Sequence, residues 1–421
     1  MVTVTIKEGY KQTEVGIIPE DWDLITFEKA FNFLSTATYS RDKLSENKEV
    51  FYIHYGDIHT KMNNFLDFTK LSLPSIENEK VQNYSLLREG DLIIVDASED
   101  YVGLSKSVEV KNIGSKRAIS GLHTFLLRDK NNFFVNGFRG YITPNKLVKT
   151  QLDRLATGMK VYGVSKGNLK LVLIPRPRSE EQFLITSTLS DTDSLIEKFD
   201  KLITKKKNIK QGTMQELLTH KKRLPGFKGE WEVKKLGDVA EMSSGGTPLT
   251  SNNSFYGGKI PWVVIADMTR IKKYLFDTEK TITEQGLLNS SAKLFKKGTL
   301  LFAMYASIGK CSIAKVDVTC NQAILGINTT KIDTEFLYYY LAFNEQKFLQ
   351  MGQTGTQNNL NKEIVQNLDI PYPQPKEQSA IAQVLLDMDV EIEELEQKRD
   401  KYKQIRVGMM QQLLTGMIRL K

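Results

Sequence analysis

Residues 174–224 and 370–420 align at a constant offset of 196 without a gap, and 22 of the 51 positions are identical. The shared positions include Ile174/Ile370, Pro175/Pro371, Glu181/Glu377, Gln182/Gln378, Asp193/Asp389, Leu217/Leu413 and Arg223/Arg419. Chance does not give that, so the chain must fold one plan twice. Upstream the likeness is weaker but keeps its order. Tyr52-Ile53-His54-Tyr55-Gly56-Asp57-Ile58 matches Pro261 to Met268, Leu86–Ile94 (LLREGDLII) matches Leu294–Phe302 (LFKKGTLLF), and Ala156-Thr157-Gly158 matches Gln353-Thr354-Gly355. The expected order is a globular piece at 1–173, a helical segment at 174–224, a second globular piece at 225–369 and a second helical segment at 370–421. The helical segments stay alike while the globular pieces differ. Two copies under one structural demand stay alike, and two copies with different targets drift.

The like segments read as long helices. Ile381, Met388, Leu395, Tyr402 and Met409 recur every seven residues. Leu385, Ile392 and Leu413 form a second series, which completes the seam of a coiled coil. The first copy carries Ile185, Leu189, Ile196, Phe199, Ile203 and Leu217, interrupted by Thr192, Lys206 and Lys210. Each helix is expected to run about 35 residues, roughly 50 Å. The distal segment is acidic (Asp387, Asp389, Glu391, Glu393, Glu394, Glu396) and the proximal one basic (Lys198, Lys201, Lys205, Lys206, Lys207, Lys210). Antiparallel pairing places these unlike charges side by side.

The globular pieces carry short apolar runs, such as Leu92–Val95 and Leu300–Ala303, between Gly, Asn and Ser clusters. These read as strands, with a helix at Glu335–Met351. The expected class is mixed α/β, in two domains. At 421 residues the chain is long enough for two or three domains, and no apolar run reaches the ~18 residues of a membrane span. The N-terminal MVTVTIKEGYKQTE has neither the basic start nor the apolar stretch of a signal peptide. Two cysteines, Cys311 and Cys320, without a CxxC suit a reducing cytosol and argue against a disulfide framework or a zinc site. A net charge of +8 is compatible with nucleic acid.

Interleaved aromatic and basic residues mark the candidate DNA contacts. In the first piece these are His54, Tyr55, His59, Lys61, Lys106, Lys160 and Tyr162. In the second they are Trp262, Arg270, Lys272, Ser307, Lys310, Thr354, Gln357, Asn358 and Asn359. The amides of the last group suit adenine edges. For Tyr55 and Trp262 the core reading outweighs contact, and the loop at 354–359 reads equally as an ordinary Asn/Gly loop.

Several strings taken together resemble a known family. They are Ser244-Gly245-Gly246-Thr247-Pro248, Ile260-Pro261-Trp262, Ala306-Ser307-Ile308-Gly309-Lys310, Cys320-Asn321-Gln322-Ala323, Thr354-Gly355-Thr356-Gln357, and Ile370-Pro371 with Glu377-Gln378. The sequence resembles the specificity subunits of type I restriction-modification systems over nearly its whole length. The resemblance implies two target recognition domains, each reading half of a split double-stranded DNA site. The paired helices would fix the spacer and dock two modification subunits. S-adenosylmethionine and N6-adenine methylation would belong to those partners, and ATP and Mg to the restriction subunits of the full complex. This chain would carry no catalytic residue, cofactor or metal of its own, and would be cytoplasmic. The first domain lacks the SGGTP and ASIGK strings, so its base contacts are expected at other positions.

Three rivals are open. Asp96 with Glu109-Val110-Lys111 imitates the D…ExK metal site of a nuclease. Asp369-Ile370-Pro371-Tyr372 superficially resembles the DPPY of an adenine methyltransferase. A coiled-coil scaffold without sequence reading is the third.

Overall fold

The computed structural model describes residues 6–98, 103–156, 162–271, 273–354 and 359–420. It divides into two compact units, Met1–Phe199 with Lys398–Lys421, and Asp200–Gln397. Each unit holds one globular domain and one half of each long helix, so the division does not follow chain order.

In the first unit a five-stranded sheet runs in the order Phe31–Leu34, Thr124–Asp129, Leu92–Val95, Ser107–Lys111, Phe65–Asp67. Its ladders are antiparallel except the last, where Glu109 pairs with Phe65 in parallel register. The second unit repeats this order with Ala240–Ser244, Ile324–Thr329, Leu300–Ala303, Cys311–Ala314 and Tyr274–Leu275, again with a parallel last pair. A three-stranded sheet accompanies each: Ala118–Ser120, Val50–Ile53, Ser75–Ile76 in one, and Thr319–Cys320, Tyr256–Val263, Thr281–Ile282 in the other.

The continuous apolar runs are explained by the central strands. Leu92 and Ile94 point into one core cluster while Ile93 and Val95 point into another. Leu300 and Phe302 likewise oppose Leu301 and Ala303. A strand buried on both faces has no polar alternation to show. Each is entered through a glycine in left-handed conformation, Gly90 (φ 79°) and Gly298 (φ 95°), which only glycine adopts without cost.

The proximal helix spans Ser179–Leu218 and the distal helix Pro375–Leu413, 40 and 39 residues. Both are longer than the sequence pattern suggested, because the first turn extends back to just after Pro177 in one copy and to Pro375 itself in the other. Proline is tolerated in a first turn. The shared Glu-Gln pair does the same work twice. Gln182 donates to Pro177 O (2.9 Å) and Gln378 to Pro373 O (2.7 Å), satisfying carbonyls at the helix starts. Glu181 and Glu377 accept the indole N–H of Trp22 (2.8 Å) and Trp231 (3.0 Å). The distal helix is followed by Gly416 (φ 73°), where a Cβ would lie 2.5 Å from Pro19. Conformation and space both require glycine there.

Within each unit the helix halves pair antiparallel. In the first, Phe199 stacks on Tyr402 (5.6 Å), Asp193 meets Arg406, and Thr192 meets Met409. In the second, Lys206 pairs with Glu391 (2.6 Å), Lys207 with Glu396 (2.7 Å) and Lys210 with Asp389 (2.5 Å). The complementary charge of the two segments thus becomes specific ion pairs. Apolar seam residues bury against the domains. Ile185, Leu189, Leu413 and Leu414 join the first domain's core, and Met214, Leu217, Ile381 and Leu385 join the second's.

A tyrosine fixes each domain to its helix pair. Tyr339 donates to Asp389 (2.6 Å), which also holds Lys210. At the equivalent place Tyr141 lies 3.5 Å from Asp193, which also holds Arg406. Beside these, Lys111 covers the Phe65 ring (3.6 Å) and Lys315 the Tyr274 ring (3.9 Å).

Candidate nucleic-acid interface

The two domains become directly comparable through their backbone hydrogen bonds. Val95 N donates to Lys106 O (2.9 Å) and Lys106 N to Gly103 O (3.1 Å). Ala303 N donates to Lys310 O (2.9 Å) and Lys310 N to Ser307 O (3.1 Å). Gly103-Leu104-Ser105-Lys106 therefore occupies the place of Ser307-Ile308-Gly309-Lys310. Ser105 (φ 60°) adopts the left-handed backbone of Gly309 (φ 86°). The first domain lacks the ASIGK string but not its turn. Similarly Ala37 N donates to Ser120 O (2.9 Å) where Gly246 N donates to Cys320 O (2.8 Å), so Ala37 stands where the second domain has a glycine of SGGTP.

Around this turn in the first domain, three of the chain's four histidines gather on one tyrosine. The Tyr55 ring lies 4.5 Å from His54, 6.1 Å from His59 and 5.4 Å from His123. His54 is 7% exposed and caps the helix Tyr55–Lys61, its Nδ1 accepting from Gly56 N (3.1 Å). Burial, seconded by the Arg41 charge, lowers the His54 pKa, so it stays a neutral cap. The Nε2 of His59 is buried without a partner, and its carbonyl accepts from Lys106 Nζ (2.9 Å). Burial also lowers the Lys106 pKa. Lys61 and Arg41 both pair with buried Asp57 (2.8 and 2.5 Å). His123 Nδ1 faces Asp96 Oδ1 at 3.3 Å, and burial raises the pKa of that carboxyl. Tyr162 sits on the strand Tyr162–Gly163, which pairs with Ala97–Ser98.

The second domain fills the same backbone positions differently. Helix Ile265–Arg270 replaces Tyr55–Lys61, with buried Asp267 in the place of Asp57. Asp267 accepts from Val264 N and Glu279 N, both at 3.0 Å, and Arg270 bridges it to Asp277. Lys310 pairs with Glu345 (3.1 Å) beside Ser307 on the turn. Asn359 is half-buried. Trp262 resolves as core: it is 6% exposed, packs on Ile282 and Ala292, and its indole N–H donates to Gly246 O (3.1 Å). It is therefore corrected from a candidate contact to a support for the SGGTP turn. Lys273 is buried and donates to Tyr339 Oη (2.8 Å). Lys160, Lys272, Gln357 and Asn358 lie outside the described residues, as does the side chain of Thr354.

The nuclease reading fails on geometry. Glu109 stands opposite Leu92 in the sheet, four residues from Asp96 and so roughly 13 Å away along the strand. Its carboxylate is buried and filled by the backbone N–H groups of Gly137 (2.6 Å) and Gly140 (2.8 Å). Asp369 of the DIPY string lies on a strand against Glu232–Lys235 and pairs with Lys235 (2.7 Å). Among the described residues no group of three His, Cys, Asp or Glu could hold a metal. No described helix is long and apolar enough to cross a membrane. Both cysteines are free and buried, and burial pushes the Cys320 thiol up to about 12.

Residues 228–403 match the family described as Type I restriction modification DNA specificity domain. The MjaVIII specificity subunit of Methanocaldococcus jannaschii, a type I restriction enzyme component, is 25% identical over 439 residues, covering 99% of this chain and 97% of that protein. The MjaIX specificity subunit of the same organism is 35% identical over 168 residues, 39% of each chain. The chain is thus similar over its whole length to type I specificity subunits, and its second half matches their DNA specificity domain. A solved chain from work on complex assembly and conformational transition of the type I R-M system shares the fold, with a TM-score of 0.62 at 17% identity over 95% of this chain and 99% of that one.

The structure also shows features that the sequence conceals. The His123–Asp96 pair is invisible in the sequence, since a lone histidine in a Gly-Leu-His turn carries no motif. The turn that carries Lys106 is hidden in the sequence, because the offset between the copies is 204 there and 196 in the helices.

Proposed function

We propose that this chain is the DNA-reading specificity subunit of a type I restriction-modification complex. Target recognition domains at 1–173 and 225–369 each read half of a split, asymmetric site. Spacer helices at 174–224 and 370–421 set the distance between the halves and dock two modification subunits. Those subunits bring S-adenosylmethionine and methylate adenine N6, and restriction subunits add ATP- and Mg-dependent cleavage. The chain itself supplies binding and positioning and no catalytic residue, and it works in the cytoplasm.

One observation carries this reading. Equivalent backbone positions hold His54, Tyr55, His59, Asp96 and His123 in one domain, and Val264, Ile265, Thr269, Met304 and Ala323 in the other. The scaffold is kept and the presented chemistry is changed, as two readers of different sequences require. Lys61, Lys106, Tyr162, Arg270, Ser307, Lys310 and Asn359 remain the proposed contacts among the described residues. Lysine and arginine supply phosphate attraction, and polar groups supply base-edge discrimination.

The test is co-expression with the neighbouring modification subunit and mapping of N6-methyladenine across the host genome. A split asymmetric motif that depends on this chain is the expected result. A stable complex that leaves no motif would sink sequence reading, and failure to form a complex would favour the scaffold.

A further inference from the structure

His123 occupies the turn between strands Ala118–Ser120 and Thr124–Asp129 with a left-handed backbone (φ 56°), uncommon for any residue but glycine. The turn is over-determined. Gly121 N donates to Ile53 O (3.0 Å), Leu122 N to Tyr52 Oη (2.9 Å), and Asp96 N to His123 O (3.2 Å). The imidazole is thereby aimed, with the Tyr55 ring standing edge-on to it at 5.4 Å. Of the three clustered imidazoles, His54 is buried and occupied and His59 has its Nε2 buried, whereas the His123 side chain is 48% exposed.

Asp96 decides what that exposed ring presents. An ionised carboxylate can only accept, so the Nδ1 facing it at 3.3 Å carries the hydrogen. In the neutral ring Nε2 then holds a lone pair, and it has no partner among the described residues. The same backbone bond recurs in the second domain, where Met304 N donates to Ala323 O (2.9 Å), but the side chains there have no polar head. The acceptor is a property of the first domain alone.

We propose that His123, held by Asp96, is a base-reading residue of the first target recognition domain, its Nε2 accepting from the exocyclic amino group of an adenine or a cytosine in the major groove. Adenine N6 and cytosine N4 are the donors that groove offers; guanine presents N7 and O6 and thymine O4, all acceptors, which repel a lone pair. His123 is the reading residue and Asp96 its positioning residue. The inference rests on the specificity-subunit reading.

The test uses the full chain in its complex, with two variants. His123→Gly removes the ring and keeps the left-handed turn, since glycine adopts it freely. Asp96→Asn offers Nδ1 a donor, which permits the other tautomer and turns Nε2 into a donor. Methylation motifs are mapped in cells, and binding is measured on duplexes carrying each of the four bases at each first-half position. For His123→Gly, one position that requires adenine or cytosine loses roughly tenfold discrimination and the rest of the motif stays. For Asp96→Asn, guanine becomes acceptable at that same position. Which of adenine or cytosine is read appears directly in the wild-type motif. A wild-type motif unchanged in both variants overturns the inference alone. So does a change in the other half-site, or uniform loss of binding in a chain that melts as the wild type does. Absence of any split motif in the wild type overturns the specificity reading beneath it.

Discussion

Arg419 closes on Glu181 with Nε at 2.7 Å and Nη2 at 2.8 Å from the two carboxylate oxygens, although 238 residues separate them. The second unit builds the same clamp from Arg223 and Glu377, at 2.8 and 2.5 Å. Each glutamate begins one helix, and each arginine follows the other. The end of either repeat is thus an integral part of the unit built on the other repeat's domain, which is why these four residues recur at the offset of 196.

Glu181 is 5% exposed, so Arg419→Ala would strand a buried carboxylate beside Trp22. Removing one partner of a buried pair costs roughly 3–5 kcal/mol. Arg419→Lys loses the two-pronged geometry and is expected to cost less. Chemical denaturation of the purified chain checks both. A loss under 1 kcal/mol for Arg419→Ala would show that the clamp is not structural.

Asp21 adds a pH dependence to the same clamp. Its hydrogen bond to Arg419, against a smaller opposing effect of burial, holds its carboxyl below the ordinary aspartate value. A depressed carboxyl contributes stability that is present above the unfolded pKa, near 3.8, and is lost as pH falls through the lower folded value. Asp21→Asn is expected to lower the melting temperature at pH 6 and to shrink the fall seen on acidification below about pH 4. Parallel melting curves of both proteins would refute this.

The repeat made much of this architecture readable. Heptad spacing identified the helices, opposite charge gave their direction, and doubly apolar runs such as Leu300–Ala303 marked central strands. The clamps were visible only as identities. Nothing local says that Arg419 binds Glu181, because the partner is fixed by tertiary packing. For Trp262 the sequence favours core without excluding contact, since a buried indole with its N–H satisfied and a base-stacking indole look alike in sequence. The acceptor at His123 depends on a tautomer set by Asp96, 27 residues away. Chain pattern carries periodicity well and such long-range pairs poorly.

Tyr339→Phe removes one hydroxyl from the seat of the second domain on its helix pair and leaves the ring in place. A hydrogen bond to a charged group contributes about 1.5–3 kcal/mol. The expected phenotype is a domain held less firmly, with spacer tolerance broadened by a base pair and the half-site bases unchanged. Methylation mapping on spacer-variant targets measures this. Altered bases in either half-site would contradict a purely positioning role.

The helix pair proposed to set the spacer can be lengthened without breaking any pairing inside the units. Seven residues inserted after Phe199 must be matched by seven before Lys398, because an insertion in the proximal helix alone moves Lys206, Lys207 and Lys210 off Glu391, Glu396 and Asp389. Seven residues are one full heptad and keep the apolar seam in phase. They add about 10.5 Å of helix, or roughly three base pairs at 3.4 Å each. The matched insertion is expected to lengthen the spacer by about three base pairs while both half-sites stay as they were. The single-helix insertion is expected to destabilise the chain and abolish methylation. An unchanged spacer in the matched variant would mean that the helices do not set it.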